Sequence, residues 1–442
     1  MRGKTRGFLC GMLIFLSGVL TYQVQGILLL PERHSIAVGE PLKLNFPAPF
    51  EKTLKAKILG NEDLLQFKES DGTRDFTPGS GPVASEPGQI QVRLSLFGVI
   101  PVRDMLVSVV PQVKVIPGGQ SIGVMLHAQG VIVVGLSALL DETGNKVNPA
   151  ADAGIKEGDV ILKIDGEAVR SDGQVRDMVA RAGTAGQPLT MEVKREEDTF
   201  TAKVSPVFCK ETLRYRVGLM IRDSAAGVGT LTFYEPDSMV YGALGHVITD
   251  IGTSRPVELS DGKIVGASVQ GIHRGKRGQP GEKIGMFQGD TRVNGTITRN
   301  TKLGIFGSLK KPLENPAIGE PIAVAMADQI HEGQAEILTV LKGEQVERFS
   351  IEIIKVNPLA RQDGKGLVIK ITDQRLLEQT GGIIQGMSGS PIIQDDRLVG
   401  AVTHVFVNDP TKGFGVPAEW MLWEAEILPK EDKVEKDQKM VS

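Results

Sequence analysis

Gly381-Gly382-Ile383-Ile384-Gln385-Gly386-Met387-Ser388-Gly389-Ser390-Pro391 is the stretch on which the reading of this 442-residue chain turns. A glycine two before Ser388, a glycine directly after it and a proline three after it describe a tight turn that lifts one hydroxyl clear of the backbone. Such a turn can aim the Gly386 and Ser388 N–H groups at one point beside the hydroxyl, where they would hold negative charge developing on an oxygen. Pro391-Ile392-Ile393 resumes as a strand, and Leu398-Val399-Gly400-Ala401-Val402-Thr403 follows as another. The competing reading is a plain glycine-rich hairpin turn.

A serine is inert as a nucleophile until a base takes its proton, so the histidines come next. There are six: His34, His127, His246, His273, His331 and His404. His246 stands in Gly242-Ala243-Leu244-Gly245-His246-Val247-Ile248-Thr249-Asp250, a small-residue approach followed by a strand-like pair. Its separation from Ser388 is that of two successive small β-barrels, the arrangement by which chymotrypsin-like folds bring base and nucleophile together across a cleft. His404, on the strand after the serine turn, is the second candidate base. His273 and His331 sit in polar surroundings and read as exposed loop residues.

A carboxylate that fixes the imidazole tautomer is the third requirement. Spacing offers Asp250, Asp290 and Asp373, and a position midway between base and nucleophile favours Asp290.

Gly-His-Val-Ile-Thr-Asp at 245–250, the run Ile371 to Gln394 around the serine turn, and Gly-Ala-Val-Thr-His-Val-Phe-Val at 400–407 resemble the stage IV sporulation protein B peptidases of endospore-forming Firmicutes. The resemblance extends over nearly the whole chain. It implies that the motif aspartate is Asp373, with His246 as base and Ser388 as nucleophile. It also implies a self-cleaving signalling protease, exported across the forespore membrane into the intermembrane space. There it would cleave a membrane-bound regulator of an intramembrane protease and so activate a mother-cell sigma factor.

The composition fits a β-rich, multidomain globular chain: 53 glycines, 5% aromatic residues and 23% charged residues. A net charge of -3 argues against a nucleic-acid partner. Two cysteines, Cys10 and Cys209, build no disulfide framework, and no His-Glu-x-x-His or similar cluster asks for a metal. No cofactor is expected.

The expected architecture is mainly β, with a chymotrypsin-like double β-barrel preceded by a PDZ domain and a small N-terminal β-domain. Residues 1–26, with Arg2, Lys4 and Arg6 before an apolar run from Gly7 to Leu20, read as a signal peptide or membrane anchor. Residues 27–110 read as the small β-domain; within it Gln89 to Leu96 alternates as a half-buried strand and Phe76 to Gly88 reads as a loop. Residues 111–208 look like a PDZ domain, whose Gly158-Asp159-Val160-Ile161-Leu162-Lys163-Ile164-Asp165-Gly166 core precedes a helix bearing Val175, Met178, Val179 and Ala182 on one face. Asp159 and Asp165 are assigned to turns. Ser121-Ile122-Gly123-Val124 is expected to form the loop whose N–H groups accept a peptide carboxylate or carbonyl.

Residues 210–429 are the expected protease domain. Gly227 to Phe233 opens it as a strand, Gly262 to Gly281 reads as an exposed loop, Ala335 to Lys355 as two strands, and Pro417 to Leu428 as a closing helix carrying Trp420 and Trp423. Residues 430–442 form a charged tail. The rival function is a non-catalytic adaptor that binds a membrane partner's peptide tail. A quality-control protease with a trailing PDZ domain has the opposite domain order.

Overall fold

The computed structural model describes residues 33–44, 54–67, 75–77, 81–250, 255–288, 293–313, 317, 319–357 and 364–428. The leader, Asp290 and the charged tail lie outside the described residues. The chain divides into two compact units, one of residues up to Val113 together with Met326–Gln329, the other of the rest.

In the first unit, β1 (Arg33–Ala37), β2 (Leu54–Gly60), β3 (Gly88–Leu96) and β4 (Ile100–Val110) lie in the order β1-β4-β3-β2, with a short strand at Asp75–Phe76 beyond β2. β1 runs parallel to β4, and the neighbouring pairs are antiparallel. The period-two pattern sorts the sheet's faces: Leu54, Ala56, Ile58, Ile90, Val92 and Leu94 are buried, while Lys55, Lys57 and Arg93 are exposed. Val83–Ala84, inside the segment read as a loop, is a short strand paired with Leu65–Gln66.

The second unit begins its main sheet with β5 (Ser121–Leu136), a strand of 16 residues. There follow α1 (Pro149–Asp152), β6 (Val160–Ile164), α2 (Asp172–Ala185), β7 (Leu189–Arg195) and β8 (Asp198–Val204). Strands β8-β7-β6 and the second half of β5 make one sheet, which α2 covers with Val175, Met178, Val179 and Gly183. Ser171 caps α2 by accepting from the Gln174 N–H at 3.1 Å. Asp159 accepts from the Lys156 N–H and from Arg195, and Asp165 accepts from the Thr190 N–H, so both serve turns and their supports.

Next come β9 (Leu219–Tyr234), β10 (Val240–Ala243), β11 (Leu259–His273), β12 (Glu282–Phe287), β13 (Asn294–Thr301) and β14 (Gly304–Leu309). The order β5-β11-β13-β14-β10-β9 closes on itself because β9 pairs back onto β5, making a six-stranded barrel. The second barrel is closed in the order β15-β16-β17-β20-β19-β18, with β15 (Gly333–Val340), β16 (Val346–Val356), β17 (Leu367–Ile371), β18 (Pro391–Gln394), β19 (Arg397–Phe406) and β20 (Asp409–Pro417). Helix α3 (Gln374–Thr380) precedes the serine turn, and α4 (Ala418–Glu424), buried nearly all round with Trp420 and Trp423, follows β20. Two closed six-stranded barrels in succession are the chymotrypsin-like architecture.

Two expectations need correction. Ser121-Ile122-Gly123-Val124 is not a loop: it opens β5, is buried, and is flanked on both edges, Gly123 standing between Val228 of β9 and Val265 of β11. Its strand edges are committed to the barrel, so these residues are not an open receptor for a peptide terminus. The same pairing joins the PDZ-type sheet to the first barrel, since half of β5 belongs to that barrel and Leu219 to Arg222 of β9 extend the PDZ-type sheet. Finally, Gly262 to His273 is strand rather than loop. Its small residues let β11 pack closely between β5, β12 and β13.

Candidate active site

The serine turn is held from beneath by β9. The Thr230 N–H donates to the Ser388 carbonyl at 2.9 Å, its Oγ1 donates to the Gly386 carbonyl at 2.7 Å, and Thr232 Oγ1 donates to the Gly389 carbonyl at 2.8 Å. The Leu244 N–H donates in turn to the Thr230 carbonyl at 3.3 Å, so one buried residue ties the serine turn to the segment leading into His246. Close approach makes glycine obligatory here: a Cβ on Gly389, at φ +93°, would stand 2.1 Å from the Thr230 oxygen. Gly386, at φ +90°, lies against the stem of Lys283. The carbonyls on both sides of Met387 are thus pinned, while among the described residues no protein acceptor engages the Gly386 or Ser388 N–H.

Lys283 is itself unusual. It is only 5% exposed, its N–H donates to the Gln385 carbonyl at 3.0 Å, and its Nζ donates to Thr339 Oγ1 at 2.8 Å. Desolvation pushes its pKa down to about 7.

Ser388, His246 and His404 share a cleft of ≈ 890 Å³, lined from the first barrel by Val228 and Leu244 and from the second by Gly386. The rings of His246 and His404 stand 5.0 Å apart. His246 Nδ1 faces the Val247 carbonyl at 2.9 Å. A carbonyl only accepts, so Nδ1 carries the proton and Nε2 is left with its lone pair, the tautomer a general base requires. Burial lowers the His246 pKa below the ordinary histidine value, the Val247 contact opposing it. His404 is pushed down to about 4, by desolvation first and then by the nearby charges of His246 and Lys365. The Ser388 hydroxyl donates to the Thr403 carbonyl at 2.7 Å, so in this conformation its proton points at β19.

The carboxylates are placed elsewhere. Asp373 is the N-cap of α3, accepting from the Arg375 N–H at 2.9 Å and the Leu376 N–H at 3.4 Å, and pairing with the Arg375 guanidinium at 2.9 Å. Desolvation would raise its pKa, but the bonds from Arg375, Leu376 and Ser350 together outweigh it and hold the carboxyl below its usual range. Asp250 is buried and paired with Arg222 at 3.1 Å. Among the described residues no carboxylate bonds to His246, and the tautomer-setting contact is the backbone oxygen of Val247. No group of three or more potential metal ligands occurs among the described residues.

Thr230 and Lys283 were not singled out in the sequence. Thr230 and Thr232, alternating on the buried face of an otherwise apolar strand, are a signal that was available. Lys283, within Glu-Lys-Ile-Gly, reads as an exposed lysine, and nothing local distinguishes it.

A family model described as SpoIVB peptidase S55 matches residues 213–422, and a PDZ domain model matches residues 106–205. A Clostridium perfringens protein described as a zinc metalloprotease, CPE1693, is 35% identical over 95 residues, covering 20% of this chain and 28% of that protein. Among solved structures, the PDZ domain of the SdrC-like protein Lmo2051 from Listeria monocytogenes is 22% identical, with a TM-score of 0.17, over 21% of this chain and 87% of that one. The inactive form of the Rv3671c protease of M. tuberculosis is 15% identical, with a TM-score of 0.27, over 45% of this chain and 84% of that one.

Proposed function

We propose that this chain, whose residues 213–422 match the SpoIVB peptidase S55 family and residues 106–205 a PDZ domain, is a serine endopeptidase with Ser388 as its nucleophile and His246 as its general base. The observation that carries this reading is the pairing, in one cleft, of a glycine-held serine with a histidine whose Nδ1 proton is committed to Val247. Rotation of the Ser388 hydroxyl from Thr403 toward His246 Nε2 lets the base take its proton as Oγ attacks the peptide carbonyl. The carbonyl π electrons move to oxygen, and the Gly386 and Ser388 N–H groups stabilise that oxyanion. The protonated His246 then gives its proton to the leaving amine as the C–N bond breaks. Water, deprotonated by the same nitrogen, releases the acyl group and restores Ser388. Asp373 supports this centre through α3, whose first turn it caps ahead of the serine turn.

The physiological setting we propose is the sporulation pathway that the family name denotes. The enzyme acts after export across the forespore membrane, cleaves itself, and cleaves a membrane-bound regulator of an intramembrane protease so that a mother-cell sigma factor is activated. Protein substrates follow from the peptidase and PDZ domains; the identity of this one is inferred from the family.

The test is covalent labelling by a fluorophosphonate read by intact mass, with fragmentation of the chain followed in parallel. We expect one adduct on the wild type, none on Ser388→Ala and strongly slowed labelling on His246→Ala. Equal labelling of the Ser388→Ala protein would overturn the assignment. The adaptor alternative predicts that none of the three is labelled while peptide binding persists. In an endospore-forming host lacking its own homologue, wild type but not Ser388→Ala should restore sigma-factor activity.

A further inference from the structure

The hairpin between β3 and β4 presents an apolar tip. Leu96-Phe97-Gly98-Val99-Ile100 connects the two strands, with the Val99 N–H bonded to the Leu96 carbonyl at 3.1 Å. Phe97 is 68% exposed, Val99 80% and Ile100 57%. Phe97 and Gly98 both have positive φ, 54° and 77°. That left-handed pair favours Asn-Gly or Asp-Gly, and a bulky aromatic at the first position is strained. The fold therefore gains nothing visible from Phe97, which neither packs into the core nor suits the turn.

The surroundings indicate what such a tip would meet. The Cγ of Lys55 would lie 3.7 Å from a Cβ on Gly98, so the lysine stem runs along the hairpin end, and Lys57 follows on the same exposed face. Arg93 and Asp104 on the neighbouring strands neutralise one another in a bidentate pair. The acidic residues Glu62 and Asp63 stand past the opposite end of β2. An apolar wedge with lysines behind it matches a bilayer surface, with the wedge among the acyl chains and the ammonium groups at the phosphates.

We propose that this tip is a membrane-docking element that inserts Phe97, Val99 and Ile100 into the surface of an anionic bilayer, with Lys55 and Lys57 bound at the headgroups. It orients the N-terminal unit at a membrane and is independent of the peptidase chemistry.

The full chain carrying Phe97→Trp is reconstituted with vesicles of phosphatidylcholine, with or without phosphatidylglycerol, and tryptophan quenching by brominated acyl chains is measured against the unsubstituted chain, which carries Trp420 and Trp423. Added quenching in the anionic vesicles, reduced severalfold by Lys55→Glu with Lys57→Glu, is the expected result. No added quenching in either vesicle overturns the proposal. So does a vesicle-independent dimer that Phe97→Asn dissolves in sedimentation, which would make a second copy the occupant. Phe97→Asn supplies a second readout. It should leave the melting temperature unchanged or raise it while vesicle association through the tip is lost, whereas a lowered melting temperature would show that Phe97 is retained for the fold and would also overturn the proposal.

Discussion

At the residue scale, the serine turn depends on side chains that do not line the cleft. Thr230→Val keeps the volume but leaves the Gly386 carbonyl without its 2.7 Å partner. An unsatisfied buried acceptor costs about 1–3 kcal/mol, so denaturant unfolding should show a loss of that order. The defect in kcat should exceed that in KM, because the oxyanion site rather than the peptide-binding surface is disturbed; Thr230→Ser should recover both. Lys283 acts through its stem. Its pKa falls from an unfolded value of about 10.4 to about 7 in the fold. Below pH 7 the buried ammonium is charged in both states, and its desolvation cost is borne in full. Between about pH 7 and 10 the unfolded chain holds the extra proton, and the cost is progressively relieved. Lys283→Met should therefore stabilise the enzyme at pH 6, by an amount that shrinks toward pH 10, with activity largely kept because the stem against Gly386 is preserved. Melting temperatures across pH measure this. Burial lowers the His246 pKa, so the proposal that His246 is the base predicts an acid limb of kcat/KM below about 6.5, read from a pH–rate profile.

At the element scale, α3 couples Asp373 to the turn that follows. As an N-cap, Asp373 is replaceable by asparagine, which presents the same acceptor, whereas Asp373→Ala should cost about 1 kcal/mol. Loss of a triad carboxylate typically lowers kcat by about 10⁴. Asp373→Asn should thus retain activity within roughly tenfold if the residue works through the helix; a collapse of kcat with unchanged stability would make it a member of the catalytic constellation. The choice among Asp250, Asp290 and Asp373 was not legible from spacing, because a carboxylate's role depends on which cation or N–H group the fold delivers to it. Arg222 reaches Asp250 from 28 residues away, and Arg375 takes Asp373 from two. The same holds for β11, where glycine-rich composition read as a loop. Glycine weakens a strand locally, yet it is tolerated where neighbouring backbones must approach, and that approach is invisible in the local sequence.

At the scale of the whole molecule, β5 and β9 decide how the parts are joined. They pair along nearly their full lengths, from Leu219 opposite Leu136 to Thr230 opposite Ser121, and pass from the PDZ-type sheet into the first barrel. A chain truncated to residues 209–442 lacks β5 and would leave β9 and β11 as open edges in that barrel. We expect it to show no cooperative thermal transition by circular dichroism, whereas a chain that begins at residue 111 melts cooperatively. The sequence by itself determined the serine turn, the strand and helix succession of the PDZ core and the mainly β class. Each of these is written in local period, glycine placement or a contiguous motif. Only the tertiary structure decided that Ser121-Ile122-Gly123-Val124 is a barrel strand, that Thr230 fastens the serine turn to the segment leading into His246, and that Lys283 is buried beneath Gly386. Strand pairing is chosen by partners a hundred or more residues away, and alternating side chains tell a strand which face to bury without telling it which edge to join.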